Sequence, residues 1–176
     1  FVEAGEALLE CALGVVAQAL GDELAVFVQV LDAHGDDVDL DAVDLYRLNV
    51  RTGEQTLITA ERPPLTVRWV LDRDLAPRVV TTWIEDTLEY VVQYRRDANS
   101  PWTELARYDI TKGPTFVPLA FEADNRTLQV AWNGGRDTMA IYRYDPEARK
   151  LGELVAQHPR YDMGADASGN PTGGIV

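Results

Sequence analysis

The chain has 176 residues, 46% hydrophobic and 26% charged, and its 16 Lys and Arg stand against 29 Asp and Glu for a formal net charge of −13. A closed domain of this length buries roughly 70% of its unfolded-chain surface, so length and composition exclude wholesale disorder. The acidic balance excludes nucleic acid and anionic membrane as main partners, because both need a basic surface, and the single cysteine, Cys11, excludes an internal disulfide framework.

No apolar run reaches the ~20 residues of a membrane-spanning helix; the N-terminal stretch is cut by Glu10, Gln18, Asp22 and Glu23. The start, Phe1-Val2-Glu3, is acidic, unlike a signal peptide, and lacks Met, which predicts a processed chain or an excerpt of a longer product. The compartment stays open between cytoplasm and periplasm or exterior.

In chain order, the first segment is ambiguous. Glu6 to Leu20 places Leu8, Leu9, Ala12, Leu13, Val15, Val16, Ala19 and Leu20 at a spacing that suits a helix. A repeat found along the rest of the chain argues instead for strands, with Leu8-Leu9 in the outer strand of a preceding unit. A first unit then runs from about Val15 to Thr59, with an acidic insertion, Asp32 to Asp44, between its second and third strands. The next unit predicts strands at Thr66–Leu71, Arg78–Trp83, Leu88–Arg95 and Trp102–Tyr108. Its turns are Asp72-Arg73-Asp74, Glu85-Asp86-Thr87 and the stretch from Asp97 to Pro101. The third unit predicts strands at Phe116–Phe121, Thr127–Trp132, Thr138–Tyr144 and Leu151–Ala156. Asn133-Gly134-Gly135-Arg136-Asp137 makes a hairpin turn whose glycines supply positive φ. The tail, Gly164 to Val176, reads as a turn followed by the start of a next unit.

Three series carry the repeat. Leu9, Leu57, Leu105 and Leu154 are spaced by 48, 48 and 49 residues. Tyr46-Arg47-Leu48-Asn49 stands 96 residues before Tyr142-Arg143-Tyr144-Asp145, with Val92-Gln93-Tyr94-Arg95 between them. Val67 to Asp74 matches Val117 to Asp124 at an offset of 50. Four short antiparallel strands per ~40 to 50 residues are the signature of a β-propeller blade. The expected fold is therefore all-β: about three four-stranded antiparallel blades over 15–60, 66–109 and 116–157, stacked face to face. Residues 158–176 form the start of a next blade or a tail. Propellers close with about four to eight blades, so this one is expected to be incomplete.

The segments Asp44 to Glu54 (DLYRLNVRTGE), Val67 to Arg78 (VRWVLDRDLAPR) and Pro118 to Val155 resemble the propeller region of bacterial prolyl oligopeptidase-family serine peptidases, nearest the acylaminoacyl or dipeptidyl aminopeptidase-like branch. The resemblance covers about Val15 to Val176 and is most specific at Gly135-Arg136-Asp137 followed by Tyr142-Arg143-Tyr144-Asp145-Pro146. It implies a propeller joined to a C-terminal α/β-hydrolase domain, absent from this chain, that carries a Ser-Asp-His triad. The propeller then caps the active site and restricts substrates to short peptides. Dipeptidyl peptidases of the family anchor the substrate amine with adjacent glutamates, and no Glu-Glu pair occurs here.

The chain's own residues supply no catalytic, cofactor or metal site. A nucleophile elbow needs Gly-x-Ser-x-Gly; Ser100 lies in Ala98-Asn99-Ser100-Pro101 and Ser168 in Asp166-Ala167-Ser168-Gly169. His34 and His158 sit in loop-like contexts. Asp37, Asp39 and Asp41 form D-x-D-x-D, but an EF-hand then needs Gly and a final Glu, and Ala42 and Leu48 stand there. A solvated acidic loop is expected, with a non-EF calcium site as the alternative. Trp69, Trp83, Trp102, Trp132, Tyr90, Tyr94, Tyr142 and Tyr144 are expected to pack between blades, the alternative being a stacking surface for peptide or carbohydrate. No cofactor is expected. Two readings of function remain: the non-catalytic propeller of a serine peptidase, or a stand-alone propeller-type binding module. The exposed ends of an excerpt also predict a homodimer.

Overall fold

The computed structural model describes residues 12–20, 23–34, 37–49, 51–84, 86–109, 111–112, 114–165 and 171–174. Every regular element among them is a strand. By contact the chain folds as two compact units, Phe1–Val67 and Arg68–Val176.

The first unit is a meander of β1 (Ala12–Leu20), β2 (Glu23–His34), β3 (Asp37–Asn49) and β4 (Gln55–Leu57), side by side in that order. The segment that also suited a helix is thus a strand. It pairs with β2 so that Val16 faces Phe27 and Leu20 faces Glu23. Gly14 and the β-branched Val15 and Val16 lower its helix propensity, and a partner strand settles the choice. The expected outer strand at Leu8-Leu9 lies outside the described residues.

The acidic insertion is corrected. Asp32–His34 and Asp37–Asp44 are strand, the far end of the long β2–β3 hairpin, with Leu31 opposite Val43, Ala33 opposite Val38 and His34 opposite Asp37. Asp37, Asp39 and Asp41 alternate with Val38, Leu40 and Ala42, which is strand periodicity. At the other end of the unit, Asn49 closes the β3–β4 turn by accepting from the N–H groups of Arg51 and Thr52, and Gly53 adopts φ 74°. The chain after β4 is fastened back by the buried Asp44. Its carboxylate accepts from the Thr59 hydroxyl at 2.9 Å and from Arg62 Nε at 2.6 Å.

Two further meanders follow. β5 (Thr66–Leu71), β6 (Pro77–Trp83), β7 (Glu89–Tyr94) and β8 (Thr103–Asp109) form the second sheet in sequence order; β9 (Phe116–Phe121), β10 (Leu128–Trp132), β11 (Ala140–Asp145) and β12 (Lys150–Ala156) form the third. The fold is therefore all-β, three successive four-stranded antiparallel blades of the propeller type. β6 is Val- and Thr-rich and buried along most of its length, and its Pro77 stands at the first strand position, where a missing N–H is tolerated. Of the outer strands, β12 is largely exposed and β8 is half-buried, with Leu105, Ala106 and Tyr108 packed against the core.

The second and third sheets pack on each other through one core: Val70, Val79, Val92 and Tyr94 from one, Phe116, Phe121, Leu128, Val130 and Tyr144 from the other. Complete burial of each such aliphatic or aromatic side chain contributes about 1.5–3 kcal/mol. The tail differs from a turn leading into a strand. β13 (Asp162–Ala165) and β14 (Pro171–Gly174) pair as a two-stranded antiparallel sheet.

Candidate functional site

A buried polar constellation of the second unit lies where its two blades meet. Arg78, second residue of β6, is buried together with Asp72 of the turn after β5. Its guanidinium donates to Asp72 Oδ2 at 3.0 Å, to the Tyr94 hydroxyl at 2.8 Å and to the Arg95 carbonyl at 2.8 Å. It also lies 5.4 Å from the ring centroids of Tyr94 and of Phe121 in the next blade. Asp72 in turn shapes its own turn, its Oδ1 accepting from the N–H groups of Asp74 and Ala76. A buried cation with a carboxylate, a phenol and a carbonyl around it is electrostatically satisfied. The arrangement clamps strand to turn.

Two surface contacts extend this clamp between the blades. Asn125, at φ 55°, donates to Asp74 Oδ2 at 2.7 Å and accepts from the Arg73 N–H at 2.6 Å. Arg96 meets Glu147 in a two-pronged pair, at 2.8 and 3.1 Å. These partners are 51 or 52 residues apart in sequence. One repeat separates them, as expected of neighbouring copies of one unit. The sequence placed Asp72, Arg73 and Asp74 in a turn without a role for their side chains; the signal for that role is polar residues one period apart on matching turns.

A shallow groove opens at the end of the second blade, lined by Asp86, Thr87, Leu88, Glu89, Asp109 and Lys112. Its carboxylate Asp109 is already engaged. The Thr111 hydroxyl and N–H and the Lys112 ammonium all reach it, and they hold its carboxyl below the usual range. It is thus a fixed base of the turn, poorly suited to carry a proton in catalysis. Beside the groove, Tyr90 and Tyr108 stack at 5.6 Å, and burial pushes the Tyr108 phenol up.

Ser100 belongs to the turn after β7, where the Asn99 N–H and the Ser100 hydroxyl hold the Asp97 carboxyl below its ordinary value. His158 follows β12 and stacks on Tyr161 at 4.7 Å, its Nδ1 accepting from the Arg160 N–H. His34 ends β2 and Ser168 lies outside the described residues. Asp37, Asp39 and Asp41 lie along β3 and not on a loop that could wrap an ion. Among the described residues no group of three His, Cys, Asp or Glu is placed to hold a metal.

The aromatics mostly pack in pairs: Trp69 on Trp102 at 5.8 Å, Phe116 edge-on to Tyr144 at 5.1 Å, and Trp132 edge-on to Tyr142 at 5.8 Å. Tyr94 and Tyr144 are buried in the core between the blades, and Trp132 and Tyr142 pack against it.

No protein-family model matches the chain, and no curated protein sequence matches it. Among solved structures, it is similar to the β-propeller domain of the Trilobed protease from Pyrococcus furiosus, described as having an open velcro topology. The two share 10% identity with a TM-score of 0.49, over 86% of this chain and 46% of that one. The chain thus spans just under half the length of that domain's chain. The blade assignment stands on the strand order of the three sheets themselves.

Proposed function

We propose that this chain is the non-catalytic propeller segment of a prolyl oligopeptidase-like serine peptidase. In this reading it caps the active site of a C-terminal α/β-hydrolase domain and restricts substrates to short peptides. The carrying observation is the coincidence of the resemblance with the blades. Asp44 to Glu54 falls on the end of β3 and its turn, Val67 to Arg78 on β5, its turn and the start of β6, and Pro118 to Val155 on almost the whole third blade. The resemblance thus follows the repeat. A filter of this kind needs a rigid wall, and the blade-to-blade contacts of Asn125 and Arg96 support one. In this reading the segment needs no nucleophile of its own.

The test compares the parent gene product with the 176-residue chain. The parent is expected to hydrolyse short acylated peptides and spare folded proteins, while the isolated chain hydrolyses neither. Turnover of an aminoacyl ester by the isolated chain, abolished by Ser100→Ala or Ser168→Ala, would contradict the reading. A parent that binds peptides or proteins without cleaving them would favour the stand-alone binding module.

A further inference from the structure

We propose that Arg68, Tyr90 and Tyr108 form a carboxylate-binding site on the second blade, and that its ligand is the free C-terminus of a short peptide. The choice of a peptide rests on the function proposed above; the site rests on its own geometry. Trp83, Tyr90 and Tyr108 stand directly opposite one another on β6, β7 and β8, so their side chains share one face of the sheet. Tyr90 and Tyr108 are half-buried there and stack at 5.6 Å, and Tyr108 packs against the core between the blades. Arg68 comes from β5, at the opposite edge of the same sheet, and belongs with both tyrosines to the second compact unit. The charges of Arg68 and Tyr108 act on each other, so the ends of the two side chains lie within electrostatic reach.

Three donor groups and no carboxylate meet here. Among the described residues Arg68 has no ion pair, and neither phenol hydroxyl has a hydrogen-bond partner. Arg78, Arg95 and Arg107 of the same blade are all engaged, on Asp72, on the Pro77 carbonyl and on Glu104. Glu89 and Asp109 adjoin the two tyrosines in sequence and therefore project from the other face, where Arg107 and Lys112 meet them. Arg68 is open to solvent, and protein still crowds it enough for desolvation to lower its pKa. A reachable guanidinium that is partly desolvated and unpaired gains from an incoming anion, because part of the cost of removing its water has already been met in folding.

Charge and shape select the ligand. A guanidinium offers two parallel N–H groups to the two oxygens of a carboxylate, and each phenol O–H can donate one bond more. One cation balances one negative charge. A phosphate group of about −2 would find a single arginine here, in a chain of net charge −13.

The experiment is isothermal titration calorimetry of the full chain at neutral pH. The probes are acetyl-Ala-Ala-Ala as the free acid, the same peptide as its C-terminal amide, and inorganic phosphate. The acid is expected to bind at least about tenfold more tightly than the amide. Arg68→Met should abolish that preference without lowering the melting temperature, since it removes an unpaired cation and keeps the aliphatic stem. Tyr108→Phe, which keeps the ring stack, should weaken the acid severalfold and leave the amide unaffected. Equal binding of acid and amide, or a preference for the acid that survives Arg68→Met, would overturn the proposal. So would an absence of binding, or phosphate that binds more tightly than the peptide acid. None of these outcomes bears on hydrolysis by the parent gene product, so the peptidase reading stands or falls separately.

Discussion

Substituting Gly134 by Ala tests the β10–β11 hairpin more sharply than any other single change. Gly134 and Gly135 both take positive φ, 57° and 80°. Either alanine therefore carries the cost of a left-handed L-residue, about 1–2 kcal/mol. Only at Gly134 does the new methyl carbon also meet a neighbour: it would stand 3.0 Å from Cη2 and from Cζ3 of Trp132, whereas at Gly135 nothing lies within 4 Å. Carbon contacts are comfortable at about 3.5–4.0 Å, so the indole must move. It is held edge-on to Tyr142, whose hydroxyl accepts from Arg136 at 2.9 Å. Forcing such a ring about 30° off its rotamer costs roughly another 0.5–1.5 kcal/mol. Gly135→Ala is then expected to lose about 1–2 kcal/mol and Gly134→Ala about 1.5–3.5 kcal/mol. At ~2–4 °C per kcal/mol for a chain of this size, the melting temperature falls by about 2–8 °C in the first and about 3–14 °C in the second, always further in the second. Thermal melts followed by circular dichroism read both. In a Trp132→Leu background the excess at Gly134 should vanish, leaving the two alanines equal. Equal losses in the parent background, or an excess that survives removal of the indole, would refute the reasoning.

Further outcomes are expected of the blade clamps and of pH. Arg78→Ala strands the buried Asp72 carboxylate and should cost about 3–5 kcal/mol in urea unfolding, whereas a loss below 1 kcal/mol would show the network to be dispensable. Asn125→Ala should lower the melting temperature more than Asn125→Gly, since both lose the contacts to Asp74 and Arg73 but only alanine strains φ 55°; the reverse order would count against the turn. Asp124 is held below its ordinary value of 3.8 by the Thr127 hydroxyl and by the N–H groups of Arg126 and Thr127. A depressed carboxylate stabilises above its unfolded value, and that stability is lost as pH falls through the folded one. Melting temperature should thus drop on acidification below about pH 4, and less steeply in Asp124→Asn. Calcium should leave the melting temperature unchanged, because Asp37, Asp39 and Asp41 are strand residues; a clear rise would restore the metal reading.

The blades were legible because each series in the repeat marks one strand position. Leu57, Leu105 and Leu154 fall on β4, β8 and β12, the fourth strand of each sheet, while Leu9 lies outside the described residues. Tyr46, Val92 and Tyr142 fall on the third strands, and Val67 and Val117 on the opening strands of the second and third sheets. Those positions recur because each blade repeats the same four-strand meander, not because they form the core: Leu57 and Leu154 are exposed, and Val92 is buried. The β2–β3 hairpin was misread because aspartate is a poor strand former and draws the eye to a loop; the period-two alternation of Asp with Val, Leu and Ala was the better signal. The β13–β14 hairpin was obscured by its glycines, which weaken the strand pattern. The clamps were illegible for a different reason. Asp74 and Asn125, or Arg96 and Glu147, become neighbours only through the stacking of one blade on the next, a relation that no local pattern records.

The central claim, that this chain is the propeller of a serine peptidase, is tested most directly by translating the coding sequence that follows Val176. The account predicts further strands at the same spacing and then an α/β-hydrolase domain with Gly-x-Ser-x-Gly at a strand-to-helix turn. A reading frame that closes after the propeller without that motif would contradict it.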